Sequence, residues 1–295
     1  MKKILEAITL FGLLLPLPVL AADEPEAGQR FDATAFESTL HYQTGKVLLP
    51  NGKAELNLGS NFRYLSPQDT DRVLEEAWGN PKGEPTQGMI VPANVSPVMA
   101  DGWGVIVEYE DSGHVSDTDA KEINYDDLLA DMQKSTKEDN KEREKAGYES
   151  VGLVGWASKP YYDAAANRMY WAKELRFSKN DSNTLNYNIR VLGREGVLVL
   201  NAVAGMSQFA AIKPELEQVV QLAEFTPGHR YAEFNEKTDR MAEYGLAAMV
   251  AGGVAAKAGW LAPLLLGMKK GLVVILLGFA WLGKKIMSML GRDKA

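Results

Sequence analysis

The 295-residue sequence contains no cysteine and only three histidines. The lack of cysteine excludes disulfide frameworks, thiolate nucleophiles, cysteine-ligated zinc and iron–sulfur clusters. His41, His114 and His229 are far apart in the chain, so none forms the paired-histidine spacing of a zinc-protease helix. We therefore expect neither a metal nor a cofactor.

Short catalytic motifs are missing too. The run Gly205-Met-Ser-Gln-Phe209 lacks the closing glycine of a nucleophile elbow, and no glycine-rich phosphate loop follows a strand. The acidic residues Asp111, Asp117 and Asp119 lack the calcium-loop pattern and fit a turn and a helix cap better. These absences favour a protein that is not an enzyme, although one that uses paired carboxylates and an arginine would leave no short motif.

Charge is distributed unevenly along the chain. The total is −7; the first 22 residues carry +1 and the residues from Lys257 onward carry +6, which leaves −14 for residues 23–256. An acidic body argues against nucleic acid as a partner, because phosphate binding needs a basic face. The distribution is typical of a soluble domain beside a basic membrane anchor.

The N-terminal residues have the plan of a secretory signal. Lys2 and Lys3 give a basic start, residues 4–15 are mostly apolar, and Ala21 and Ala22 are small residues at a cleavage position. The apolar run is too short for a membrane helix. We predict a signal peptide at residues 1–22 and export of the rest of the chain.

The C-terminal residues predict a membrane anchor. Residues 246–268 contain one charge, Lys257, and as a helix they would reach about 34 Å, enough for a hydrocarbon core of about 30 Å. A single crossing leaves the basic residues of 269–295 in the cytoplasm and the domain at 23–245 on the periplasmic side. The apolar run at 271–283 then forms a short interfacial helix, or it crosses the membrane as well.

Small residues in this predicted helix have a spacing that permits close helix contact. Ala248, Gly252 and Ala256 are each four residues apart. They favour self-association or a membrane-protein partner, but a weakly hydrophobic helix rich in small residues gives the same pattern. Lys257 is either a functional charge in the bilayer or a side chain that extends to the interface.

The body of the chain predicts an α+β domain with an antiparallel sheet. Asn51-Gly52 predicts a hairpin, and Ser66 predicts a helix N-cap. Residues 80–97, which are rich in proline, predict mostly loop, interrupted by the short apolar run Met89-Ile90-Val91. Short links predict an antiparallel meander, whose four strands are 151–158, 168–178, 185–193 and 197–204. We expect helices at 124–145 and 214–223 to cover its apolar side.

Two further helix predictions concern polar residues. Ser116 to Asp119 fits a capping box. In the helix capped by Asn124, residues 135–145 are almost wholly polar. They either project into water or form a docking surface.

The polar side of the meander offers one candidate ligand site. Two residues on one strand, Glu174 and Arg176, could meet Asn186, Asn188 and Arg190 on the next. Such a group could bind a glycan or a peptide, although a solvated sheet face needs the same residue types. Alternation places Lys173 on the apolar side with Trp171, which is unusual for a lysine.

Several long sequence runs resemble those of a known family. They are FRYLSPQDTDRVLEEAWGNP, WGVIVEYEDSGHVSDTDA, INYDDLL, VGWASKPYYD, MYWAKEL, LNYNIRVLGREGVLVLN and FTPGHRYAEFNEKTDRMAEYGLAAMVAGGVAAKAG. Over residues 31 to 270 the chain resembles uncharacterised, membrane-anchored bacterial proteins that share a domain of unknown function. The resemblance implies an exported, tethered envelope domain, and it implies no activity, substrate or catalytic residue.

The sequence as a whole predicts a single-pass membrane protein of the cell envelope. It would act as a protein-interaction or envelope-organising module, with the lipid bilayer and a membrane protein or a second copy as partners. The alternative is an envelope enzyme, or a glycan- or peptide-binding domain that uses the polar sheet face.

Overall fold

The computed structural model describes residues 31–252 except 81, 84, 100, 146–148 and 179–180. The predicted signal peptide and everything from residue 253 onward, including most of the predicted membrane helix and the basic tail, lie outside the described residues. Within the described part of the chain, no helix has both the length and the apolar character needed to cross a bilayer.

Helices and strands alternate irregularly along the chain. The helices are α1 (Ala33–Glu37), α2 (Pro67–Arg72), α3 (Tyr125–Lys145), α4 (Phe209–Leu222) and α5 (Leu246–Ala251). The strands are β1 (Tyr42–Gln43), β2 (Lys46–Leu48), β3 (Ala54–Asn57), β4 (Phe62–Leu65), β5 (Gly88–Pro92), β6 (Gly104–Glu110), β7 (Val151–Asp163), β8 (Arg168–Phe177), β9 (Thr184–Leu192), β10 (Val197–Gly205) and β11 (Ala223–Phe225). A π-helical turn, Val73–Ala77, continues α2.

Eight strands form one antiparallel sheet in the order β1-β4-β5-β6-β10-β9-β8-β7. The predicted meander is confirmed as its β7 to β10 half. The predicted hairpin is confirmed as β2 and β3, which join β11 in a separate three-stranded sheet. The Ser66 hydroxyl accepts a hydrogen bond from the backbone N–H of Asp69 at 3.3 Å, which confirms the predicted N-cap of α2. The α+β prediction is therefore confirmed.

Strand β5 corrects the loop prediction for residues 80–97. It pairs with β4 on one side and with β6 on the other, and all five of its residues are buried. Its apolar run, Met89 to Val91, is too short to reveal a strand by periodicity. Its strand character comes from two neighbours that are distant in sequence.

The large sheet has two covered faces. The front face is covered by α4 and the small sheet, and at its centre lie Leu185, Ile189, Leu198, Leu200 and Ala202. The back face, which carries Met169 and Trp171, is covered by the π-helical turn after α2, by α3 and by α5. The expectation that α3 shares a side with α4 is wrong, because large apolar side chains alternate onto the back face of β8 and must be buried there.

Helix α3 also protects the open edge of the sheet. Asn124 caps it as predicted, accepting from the backbone N–H of Asp126 at 3.1 Å. In its polar half, the Asn140 side chain donates to the Val151 carbonyl at 2.8 Å and accepts from the Val151 N–H at 2.9 Å. The polar half therefore does not simply project into water. It satisfies backbone groups of the edge strand β7, which would otherwise be open to pairing with another chain.

Replacing Asn140 with Ala is expected to expose this edge. The loss of two hydrogen bonds to backbone should cost about 1–2 kcal/mol of unfolding free energy. Hydrogen exchange at the Val151 amide should accelerate in Asn140→Ala and stay unchanged in the control Lys141→Ala, which alters an exposed neighbour. Equal protection of Val151 in the two variants would contradict this role of Asn140.

Candidate functional site

The predicted ligand residues lie on two opposite faces of the sheet. Lys173 pairs with Asn186 and Glu174 pairs with Leu185, so Asn186 shares the back face with Lys173. Glu174 and Arg176 lie on the other face, where both contact the Asn183 side chain in the β8–β9 turn. The prediction that all five residues form one group is therefore wrong, since it matched alternate residues of neighbouring strands without their register.

The back face does bring six side chains together, and we call this group the polar floor. It consists of Trp171 and Lys173 on β8, Asn186, Asn188 and Arg190 on β9, and Asn201 on β10. Asn186, Asn188 and Arg190 belong to the predicted set. Sequence reasoning missed Asn201, and the unusual alternation of Lys173 was the signal that pointed to this face.

The polar floor lies between two apolar contacts. On its β8 side, Trp171 packs against Val250 of α5. On its β10 side, Val203 packs in the cluster that includes Trp78 after α2. Trp171 and Asn188 are 1% and 3% exposed, whereas Lys173, Asn186 and Asn201 are half-buried. The floor is thus largely shielded but reachable by solvent.

Hydrogen bonds inside the polar floor use up side-chain oxygens. The Asn188 amide donates to Asn186 Oδ1 at 2.9 Å, and Arg190 Nη1 donates to Asn201 Oδ1 at 3.1 Å. Two buried N–H groups, Arg190 Nε and Trp171 Nε1, have no acceptor among the described residues. A buried donor without a partner is costly. The floor therefore holds more donors than acceptors.

Two cations, Lys173 and Arg190, lie in this shielded region, with Trp171 and Asn188 between them along the strands. Burial, and then the positive charge of Arg190, lowers the pKa of Lys173 to about 8. Burial lowers the pKa of Arg190, against the opposing effect of Glu110 and Glu108. The Arg190 guanidinium carbon lies 5.0 Å from the centre of the Trp171 ring. The floor can therefore bind a polar ligand that brings oxygen acceptors.

Metal binding has no support in this part of the molecule. Among the described residues, no three His, Asp or Glu side chains are grouped so as to hold a metal ion.

The segment 226–245, which we call the strap, ties the C-terminal part of the chain to the domain. The Arg194 guanidinium forms a bidentate ion pair with Asp239, at 2.6 and 2.9 Å. Backbone bonds of 2.8 Å join His114 to Arg240 and to Ala242. The strap is therefore a built part of the fold that leads the chain onto the back face.

His114 is enclosed between two rings of the strap. Its imidazole stacks on Tyr231 at 4.3 Å and on Phe234 at 3.9 Å between ring centres, and it is 8% exposed. Burial lowers its pKa below the usual value. The strap therefore packs best around a neutral imidazole.

Mild acid is expected to weaken the strap through this imidazole. Because the pKa of His114 is lower in the folded protein, the unfolded chain binds more protons as the pH falls below about 6.5, and the unfolding free energy decreases there. Denaturant unfolding at several pH values measures this slope. It should flatten in His114→Phe and persist in His41→Gln, whose exposed ring serves as the control; an unchanged slope in His114→Phe would refute the assignment.

Helix α5 completes the back face after the strap. Leu246, Met249 and Val250 are at most 3% exposed. Asp119 caps the helix, since its carboxylate accepts from the backbone N–H groups of Leu246 and Ala247 at 3.1 and 3.2 Å. Asp119 thus does not close a capping box for a helix at Ser116, because no helix begins there.

The predicted membrane helix begins inside this packed element. Gly252 ends α5 in the left-handed conformation, with φ 97°. Ala248 is half-buried on α5, so Ala248 and Gly252 do not belong to one continuous helical surface in the described chain. Ala256 and Lys257 lie outside the described residues.

Solved structures that match the chain do so at low similarity. Cyanobacterial PsbP from Synechocystis has 9% identity and a TM-score of 0.35, over 68% of this chain and 98% of that one. The Ran-binding protein Mog1p from Saccharomyces cerevisiae has 8% identity and a TM-score of 0.30, over 67% of this chain and 100% of that one. LpqN from Mycobacterium tuberculosis is described as involved in cell envelope biogenesis. It has 13% identity and a TM-score of 0.32, over 68% of this chain and 100% of that one. TM-scores this low carry no argument about this chain.

A sequence family gives a firmer result. No curated protein matches the chain. The family described as "Protein of unknown function (DUF2167)" matches residues 41–280, which is most of the chain and includes the polar floor, the strap and α5. This confirms the resemblance to a family of unknown function, and the chain belongs to the DUF2167 family.

Proposed function

We propose that this chain is an extracytoplasmic domain tethered to the cell membrane by the residues after Gly252, where it serves as a protein-interaction or envelope-organising module. Export by the N-terminal signal at residues 1–22 is part of the proposal. The proposed partners are the bilayer and either a membrane protein or a second copy of the chain.

The observation that carries the proposal is the integration of the strap and α5 into the domain. Arg194 and Asp239 fix the strap, and Asp119 fixes the start of α5. The chain that leads to the apolar tail is therefore rigidly attached to the sheet. Such a connection would hold one face of the domain close to the bilayer, which supports an organising role better than a long loose linker would.

The charge distribution supports the orientation. The acidic body is consistent with a domain outside the cytoplasm, and the basic residues of 269–295 are consistent with a tail on the cytoplasmic side of the membrane. Because α5 takes up residues 246–251, the tether begins after Gly252. Residues 253–268 would span about 24 Å as a helix, a little short of the hydrocarbon core. In the proposed single crossing, the side chains of Lys269 and Lys270 extend to the cytoplasmic interface. Local thinning of the bilayer compensates for the remaining difference in length.

Crosslinking in intact cells tests the interaction role. Three forms are purified from detergent extracts: the full chain, a version truncated after Gly252, and the domain on an unrelated membrane anchor. One envelope protein should accompany the full chain, disappear with the truncation and return with the substituted anchor, because the domain makes the contact once it is at the membrane. Recovery of all three forms crosslinked neither to an envelope protein nor to a second copy of the chain would refute the module.

A second candidate function is the binding of a small polar ligand at the polar floor. The buried Arg190 and Trp171 N–H groups without acceptors favour it.

A further inference from the structure

We propose that the front face of the large sheet binds a neutral sugar ring of a glycan chain at its β7 edge, on the stacked rings of Tyr161 and Tyr170, which we call the tyrosine shelf. The shelf lies on the opposite side of the sheet from the polar floor. The inference goes beyond the proposed function and does not depend on the membrane tether.

The tyrosine shelf is an exposed aromatic surface. Tyr161 on β7 and Tyr170 on β8 are cross-strand partners, and their ring centres lie 5.8 Å apart with 13° between the ring planes. Tyr170 packs against the core of the front face, whereas Tyr161 is 62% exposed and extends the aromatic surface to the edge of the sheet. An electron-rich ring face of this kind attracts the C–H groups on one side of a sugar ring.

A carboxylate oxygen borders the shelf. Asp163 lies two residues after Tyr161, about 6.6 Å along the strand and on the same face. Its Oδ1 accepts from the backbone N–H groups of Ala165 and Ala166 at 3.0 and 3.2 Å, and its Oδ2 accepts from the Tyr170 hydroxyl at 3.4 Å. Burial, and then the negative charge of Asp163, raises the pKa of Tyr170 to about 12, so this hydroxyl stays protonated. The bond to Oδ2 is long, which leaves this oxygen able to accept from a ligand.

A fixed donor lies in the same row of side chains. Arg168 is the cross-strand partner of Asp163, but within the described part of the chain its guanidinium forms no ion pair with that carboxylate. It donates instead to the Gln221 side-chain oxygen at 2.9 Å and to the Ala223 carbonyl at 3.1 Å. Because the oxygen of the exposed Gln221 side chain is occupied, its amide nitrogen is the group left to donate to a ligand.

A sugar ring matches this combination of groups. Its hydroxyls both donate and accept, so neighbouring hydroxyls can bond to Asp163 and to Gln221 while the C–H side of the ring covers Tyr161. The negative charge of Asp163 and the positive charge of Arg168 cancel, so the border of the shelf favours a neutral ligand over an ion.

A peptide that adds to β7 as a further strand is disfavoured at this edge. The pairing of β7 with β8 shifts in register three times between Leu153 and Tyr161. Pro160, directly before Tyr161, has no N–H group to donate. An edge with these interruptions offers no continuous ladder of backbone groups to an added strand. Side chains must therefore hold the ligand, as they do in the binding of a sugar ring.

Calorimetric titration of the full-length protein tests the proposal, in a polyoxyethylene detergent because this headgroup contains no sugar. One arm adds chitohexaose, and the other adds maltohexaose. Binding of at least one probe is the expected result, and the stronger probe identifies the type of sugar. Tyr161→Ala should weaken this binding roughly 10-fold, because the exposed ring face is lost. Tyr161→Trp should retain the binding, since its larger ring offers the same flat face.

Two further measurements keep the test decisive. Val154→Ala is the matched control, because it truncates another apolar side chain of β7, which is 43% exposed. In the unmodified sequence, the NMR signals of the Tyr161 ring should shift when the stronger probe is added, and this requires no variant to fold. Absence of binding by both probes, unshifted Tyr161 signals, or equal weakening in Val154→Ala and Tyr161→Ala would overturn the proposal.

Discussion

Truncation of the chain after Tyr244 should largely unfold the domain, whereas truncation after Gly252 should leave it folded. The first cut removes α5 and with it the buried Leu246, Met249 and Val250. Burial of three such side chains stabilises a fold by about 5–9 kcal/mol, which approaches the about 5–15 kcal/mol total of a typical domain. The second cut removes none of these contacts.

Denaturant unfolding and near-UV circular dichroism of the two truncated forms measure this difference. The form that ends at Gly252 should show a cooperative transition, and the form that ends at Tyr244 should have little or no folded baseline. Equal unfolding midpoints would show that α5 is not part of the folded domain. That outcome would return residues 246–251 to the predicted membrane helix.

Gly113→Ala should detach the strap. Gly113 has a φ of 89°, and an added Cβ would lie 2.6 Å from the carbonyl oxygen of Arg240 in the strap. Backbone strain of about 1–2 kcal/mol and overpacking of about 1–3 kcal/mol should together lower the unfolding free energy by about 2–5 kcal/mol. Proteolysis under native conditions should then cut first within residues 226–245.

Gly228→Ala is the matched control for this experiment. Gly228 lies in the strap and has a φ of 94°, but no atom lies within 4 Å of an added Cβ. Gly228→Ala should therefore lower the unfolding free energy only by the backbone strain, about 1–2 kcal/mol, and the strap should stay bound. If the two variants lose the same stability, the close contact between residue 113 and the strap is not what holds the segment.

Local signals in the sequence were sufficient for several elements. Asn51-Gly52 predicted the hairpin, Ser66 and Asn124 predicted helix starts, and short links predicted the meander of β7 to β10. Each of these depends on residues close together in the chain. Strand β5 was missed, because its pairing with β4 and β6 comes from distant residues and not from its own three apolar positions.

The candidate site depended on register, which the sequence did not reveal. A shift of one residue between β8 and β9 exchanges the faces, and the predicted group combined Glu174 of one face with Asn186 of the other. Lys173 was visible as a charged residue in an apolar row. Its partners on the neighbouring strands became known only from the pairing.

Helix α5 shows a different limit of sequence interpretation. Leu246 to Ala251 are apolar and small, and these residue types serve equally well in lipid and against a sheet. The capping residue Asp119 is more than 120 positions away in the chain. Only the folded structure therefore separates the end of the domain from the start of the apolar tail.

Membrane fractionation of cells, combined with protease treatment of spheroplasts, tests the central claim most directly. The account predicts that the full chain sediments with membranes and that added protease removes its domain from outside, whereas the form truncated after Gly252 is released in soluble, folded form by osmotic shock. Retention of the truncated form in the membrane fraction, or protection of the full-length domain from protease in intact spheroplasts, would contradict a periplasmic domain tethered by residues 253–295.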